Sequence, residues 1–136
     1  MSRFDKTHFR WLLPVVFAAI VLTLTLAALG LRQRANAAPQ EIVLVAKDVS
    51  FRLADRPDEP NPVLRLTKGR AVKLVLRNDE PEKVLHCFTI GGLDVGTSRD
   101  LATGESEALN FTPTQTGTFA YACLMHPMMT GKVIVQ

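Results

Sequence analysis

The sequence predicts an all-β protein, a β-sandwich preceded by one N-terminal hydrophobic helix. Three observations carry that expectation. Residues 11 to 31 form an uncharged apolar run, unlike anything that follows it. From Pro39 onward apolar residues recur with a period near two, which turns one side of each run inward and the other outward. Seven or eight such runs fall within about 95 residues, separated by turn residues and with no helical periodicity between them, the spacing of an antiparallel sandwich.

The apolar run, Trp11 to Leu31, is built mainly of Leu, Val, Ala, Phe and Ile. A helix of that length rises about 30 Å, the hydrocarbon thickness of a bilayer. Arg3, Lys6 and Arg10 precede it, and Arg32 and Arg34 follow it. Residues 1–37 therefore read as a signal peptide or a signal anchor. Ala35-Asn36-Ala37 fits a small-x-small cleavage site that would release residues 38–136. The length of the run and the two arginines before that triplet argue instead for a retained anchor that crosses the membrane through residues 11–31. Residues 38–136 carry 11 Lys or Arg against 12 Asp or Glu, so the basic balance of the whole chain belongs to the leader. Without a basic stripe, nucleic acid is excluded as a partner.

The elements follow in order. Glu41–Ala46 and Val49–Leu53 are rich in β-branched and aromatic residues and read as strands. Ala54–Pro62 holds three prolines and three acids and reads as a surface loop. Val63–Leu66 resumes a strand, and Lys68-Gly69 turns the chain into Ala71–Asn78, where Val72, Leu74 and Leu76 alternate with Lys73, Val75 and Arg77. Asp79–Glu82 is a polar turn before a strand over Val84–Ile90, and Gly91–Gly104 is a long connection. Ser106–Phe111 is a strand, Thr112–Gly117 a turn, and Thr118–Cys123 a strand with Phe119, Tyr121 and Cys123 on one face. Leu124–Met129 is a tight loop, and Gly131–Val135 closes the sandwich. No repeat and no second domain interrupts residues 38–136.

The chemistry lies at the end of the chain. Cys123 is followed by His126 three positions on and by Met129 three positions after that. A thiolate, an imidazole and a thioether suit copper, above all when a second imidazole completes a His₂Cys plane with a weak axial Met. Three histidines exist and His8 lies beyond the apolar run, so His86 is the candidate for the second imidazole. On a strand, it would supply a rigid ligand. Of the methionines near the loop, Met129 fits the spacing and Met128 reads as exposed apolar surface. Cys123 alone would read as an ordinary buried cysteine; with His126, Met129 and His86 it reads as a ligand. A zinc site made of both cysteines and both histidines is disfavoured, because His86 and Cys87 are neighbours on the expected strand and point to opposite faces.

These residues resemble the cupredoxins. The pattern Cys-x-x-His-Pro-x-Met-x-Gly-Lys-Val from Cys123 to Val133 is similar to the short ligand loop of amicyanin. Upstream, Gly69, Val72, Leu74 and Asn78, then His86, Phe88 and Ile90, then Phe111, Gly117, Phe119 and Tyr121 also resemble the family frame. The resemblance covers residues 41–136. It implies a Greek-key β-sandwich, a mononuclear type 1 copper site held by His86, Cys123, His126 and Met129, and one-electron transfer. The sequence departs from the family in two places. Met125 stands where amicyanin-like loops carry proline. Cys87 stands where many members carry an asparagine that braces the ligand loop, and it reads as a packed neighbour of the site.

No nucleophile–base pair and no phosphate loop is visible, so the chain is expected not to be an enzyme. The expected role is an extracytoplasmic electron carrier, periplasmic or held on the outer face of the cell membrane. Its partners would be redox proteins: a c-type cytochrome, a dehydrogenase or a membrane respiratory complex. The alternative is a copper-handling protein that delivers or buffers Cu(I) for a membrane oxidase. Pro127, Met128, Leu93 and Met125 are expected to form an apolar docking patch near the ligand loop.

Overall fold

The computed structural model describes residues 16–28, 30 and 38–136. The chain divides into two compact units, 1–37 and 38–136. In the first, residues 16–28 are helical, with Thr23 and Thr25 hydroxyls donating to backbone carbonyls a turn earlier. Among the described residues no helix is long and apolar enough to cross a membrane. The expected span over 11–31 falls partly outside the described residues, and His8 and the Ala35-Asn36-Ala37 triplet fall wholly outside them.

The second unit holds nine strands: β1 (Gln40–Lys47), β2 (Ser50–Leu53), β3 (Leu64–Leu66), β4 (Val72–Asn78), β5 (Thr89–Ile90), β6 (Val95–Gly96), β7 (Ser106–Phe111), β8 (Gly117–Cys123) and β9 (His126–Val135). One sheet has the order β2-β1-β4-β7 and the other β3-β9-β8-β5-β6. In β4 the alternation resolves as the period of two requires: Val72, Leu74, Leu76 and Asn78 are buried, and Lys73 and Arg77 are exposed. Phe51 of β2 meets Phe88, just before β5, and Tyr121 of β8 edge-on, with ring centroids 5.4 and 5.7 Å apart. Edge-to-face packing of this kind adds about 0.5–1.5 kcal/mol per pair to the area it buries.

Three expectations need correcting. The sandwich is not purely antiparallel, because β1 runs parallel to β4 and β3 parallel to β9. Chain crossing between the sheets after β2 and after β3 produces those pairs, and local hydrophobic pattern carries no trace of them. The strand expected over Val84–Ile90 is confined to Thr89–Ile90, with one isolated bridge between His86 and Leu101 upstream. The closing strand starts at His126 rather than Gly131, so much of the expected Leu124–Met129 loop lies within β9.

Candidate metal centre

His86 lies in an irregular segment fixed by side chains rather than by a ladder. Asn78, the last residue of β4 and fully buried, donates through Nδ2 to the carbonyls of Val84 at 2.7 Å and Leu101 at 2.9 Å. Its Oδ1 accepts the Glu80 N–H at 3.1 Å. One amide side chain thus ties both ends of the 79–86 segment to the sheet. His86 exchanges backbone hydrogen bonds with Leu101 at 3.0 and 2.7 Å. Its side chain is completely buried, and its Nε2 lies 3.3 Å from Glu80 Oε1. The same Glu80 oxygen accepts the Val49 N–H at 2.8 Å from the β1–β2 turn.

This carboxylate decides the state of the ring. A carboxylate accepts, so the proton sits on Nε2 and the Nδ1 lone pair is left facing Cys123. Burial pushes the His86 pKa down; the Glu80 hydrogen bond opposes that, and the nearby His126 adds to it, leaving the imidazole below its ordinary value. Burial alone would raise the Glu80 carboxyl, but the N–H of Val49, His86 and the N–H of Asp48 together hold it below the usual carboxylate range.

The other donors come from β8 and β9. Cys123 ends β8 and is buried. It pairs with His126, whereas its neighbour Ala122 pairs with Thr130. One step along β8 therefore answers to four along β9, and Pro127, Met128 and Met129 bulge out of the ladder. The bulge resets the face of the strand: Met128 is exposed, while Met129 is fully buried. The exposure expected of Met128 is what the structure has. Asn61, in the proline-rich loop, donates through Nδ2 to the Met128 carbonyl at 3.2 Å and accepts the Phe51 N–H at 3.1 Å. That loop also receives the Tyr121 hydroxyl on the Pro62 carbonyl at 2.8 Å. The segment over Ala54–Pro62, read from sequence as surface loop alone, braces the bulge. Gly131 makes room for the same tyrosine, since a Cβ there would collide with the Tyr121 ring.

His86 Nδ1 is 4.0 Å from Cys123 Sγ, His126 Nδ1 is 3.5 Å from it, and the three donor atoms lie within 4.8 Å of one another. Bonds of about 2.0 Å to nitrogen and about 2.3 Å to sulfur place such atoms roughly 3.5–4 Å apart around one ion. The spacing fits a transition metal, and a thiol with two imidazoles, on a loop that also carries the buried Met129, is a donor set that suits copper. The His86 and His126 rings approach to 4.7 Å between centroids. His126 is partly exposed and is flanked by exposed Leu124, Met125, Pro127 and Met128. Leu93 does not belong to this patch: it packs on the core beyond Gly91, whose N–H bonds Ala120 three residues before Cys123.

Cys87 stands outside the donor cluster. Its N–H donates to Cys123 Sγ at 3.4 Å, its Sγ accepts the Leu124 N–H at 3.2 Å, and its Sγ lies 3.7 Å from Cys123 Sγ. It thus braces the ligand loop through a backbone group. Sequence reasoning missed Glu80, Asn61 and the bracing role of Asn78. Glu80 sits in what the sequence presents as a polar turn, Asp79–Glu82, so nothing local marked it.

The family model described as a cupredoxin-like domain matches residues 16–135. Among solved structures, auracyanin from the photosynthetic bacterium Roseiflexus castenholzii is similar, at 18% identity, over 74% of this chain and 99% of that one, with TM-score 0.57. Rusticyanin from Thiobacillus ferrooxidans is similar at 22% identity, over 71% and 76%, with TM-score 0.57. A reduced amicyanin variant is similar at 24% identity, over 76% and 89%, with TM-score 0.50. No curated protein matches the chain. At these identities the solved structures speak to the fold.

Proposed function

The chain belongs to the cupredoxin-like domain family, and from that premise we propose that it is an extracytoplasmic one-electron carrier whose copper is held by His86, Cys123, His126 and Met129. The observation that carries the proposal is the meeting of a buried thiol and two imidazole Nδ1 atoms within 4.8 Å. Copper in such a donor set supplies a Cu(II)/Cu(I) couple and needs no substrate of its own. The spacing Cys123-x-x-His126-x-x-Met129 makes the ligand loop of the short, amicyanin-like kind.

The residues divide the work. Glu80 holds His86 in the tautomer that presents Nδ1. The Cys87 N–H directed at Cys123 Sγ stabilises negative charge on sulfur. His126, partly exposed, offers the route by which an electron leaves. The apolar residues around it form a surface on which a redox partner docks without stripping water from charges. That partner is a c-type cytochrome, a dehydrogenase or a membrane respiratory complex, met at the periplasmic face. Residues 11–31 hold the domain to the membrane unless the leader is removed.

The exposed thioethers of Met125 and Met128 beside the site favour a second reading, the delivery or buffering of Cu(I) for a membrane oxidase. Adding Cu(II) to the full chain tests the first. An intense blue or green colour with one copper per chain is expected, lost in Cys123→Ser; a coloured serine variant would remove Cys123 from the site. A reversible midpoint potential supports the carrier, and transfer of Cu(I) to an acceptor without redox cycling supports delivery.

A further inference from the structure

Cys87 is left over by the electron-transfer reading, and its surroundings suit a different reaction. The two free thiols lie 3.7 Å apart, and a disulfide requires about 2.05 Å. The gap is small, and the two residues stand differently in the fold. Cys123 is fixed at the end of β8, whereas Cys87 lies between the isolated His86–Leu101 bridge and the start of β5. A cavity of about 360 Å³, lined by Cys87, Thr97, Ser98, Leu124 and Met125 among others, opens beside Cys87 rather than beside Cys123.

We propose that in the metal-free protein Cys87 and Cys123 are joined as a disulfide by exchange with a small-molecule disulfide entering through this cavity, and that the bond closes the site to copper. The inference rests on the reading of Cys123 as the copper thiolate. The Cys87 thiolate attacks one sulfur of the small disulfide, forming a mixed disulfide and releasing one thiol. Cys123 then attacks the Cys87 sulfur and releases the second. The small disulfide is reduced to two thiols, and the pair of cysteines loses two hydrogens. Bound copper occupies Cys123 and leaves Cys87 no resolving partner, so the loaded protein resists the lock. The cavity makes Cys87 the site of entry, and Cys123 is where the modification takes effect.

The test uses the full chain, reduced and metal-free, incubated with oxidised glutathione and then alkylated under denaturing conditions. Mass spectrometry should show a chain two hydrogens lighter with no alkylated cysteine. Copper uptake should fall at least tenfold and return with a dithiol reductant. Cys87→Ser, treated in the same way, should keep the uptake it had before treatment. Two alkylated thiols per chain after prolonged exposure overturn the proposal, and so does a stable glutathione adduct that never passes to Cys123. The thiol count needs no variant and no copper. Fresh reduced protein that takes up no copper overturns the copper reading, while fresh protein that takes up copper and keeps both thiols overturns the lock alone.

Discussion

The two histidines of the site are held in opposite ways. His86 is completely buried, and Asn78, Glu80 and Leu101 fix its segment on three sides. His126 is partly exposed, opens a strand and adjoins a three-residue bulge ringed by exposed apolar side chains. The difference teaches how one site meets two demands. A rigid, dry arm fixes one donor within the core, and a wet arm leaves the same centre within reach of solvent. Both arms reach one sulfur.

The largest effects should come from removing either arm. His86→Gly and His126→Gly should each lose far more copper affinity than the ~10–100-fold that loss of an outer partner costs. The contrast sharpens when imidazole is added. Colour should return to His126→Gly at lower imidazole concentration than to His86→Gly, because only the first vacancy opens to solvent; equal titrations would break the comparison.

Removing the support of the buried arm comes next. Glu80→Gln should lower copper affinity by ~10–100-fold, measured by competition with a chelator, because the Nε2 tautomer loses its carboxylate. Gly131→Ala tests the support of the other arm, since the new Cβ meets the Tyr121 ring that anchors the proline-rich loop. It should destabilise by about 1–3 kcal/mol in denaturant titration, as overpacking does.

Proton linkage gives a smaller effect on the metal-free protein. His86 titrates below its unfolded value of 6.5, so the unfolded chain takes up the proton first, and stability falls as pH drops through that value. Glu80 is held below its unfolded value of 4.5, so the stability it contributes is present above that pH and is lost as pH falls through its folded pKa. Both signs agree. Thermal melts of metal-free protein should fall steadily from pH 7 to pH 4, and Glu80→Gln should flatten the lower part. The smallest change belongs to the exposed rim. Leu124, 78% exposed, changed to Ser should move stability within about ±0.5 kcal/mol, while slowing electron exchange with a redox partner.

How much of this the sequence disclosed depends on how local each feature is. Cys123, His126 and Met129 fall within seven consecutive residues, and a donor set that compact is visible without a structure. His86 followed because so few histidines exist. The strands with clean alternation, such as Val72–Asn78, were legible because burial on one face has a period. Val84–Ile90 misled for the opposite reason. Cys87, Phe88 and Ile90 face the core, Cys87 and Phe88 from an irregular backbone, and Leu85 is exposed, so burial there does not report a ladder. Asn61, Asn78 and Glu80 were hidden because side chains that bond distant backbone groups leave no periodic mark. The parallel pairs of β1 with β4 and of β3 with β9 are equally silent, since they join segments that meet only after the chain has crossed between sheets.

The place of β9 as the last strand of the sandwich in sequence order bears on the order in which the domain assembles. That strand carries two of the four proposed copper donors, and it pairs with β8 on one side and with the distant β3 on the other. Synthesis delivers it after every other strand of the sandwich. Its pairing with β3 joins residues 64–66 to residues 133–135, a closure whose entropy is met only when most of the sandwich exists. The first sheet, β2-β1-β4-β7, is complete in sequence by Phe111 and can form without it. The donor cluster is therefore a product of finished folding. Copper arriving early finds Cys123 and His126 unassembled, and metal uptake reports that the last strand has docked.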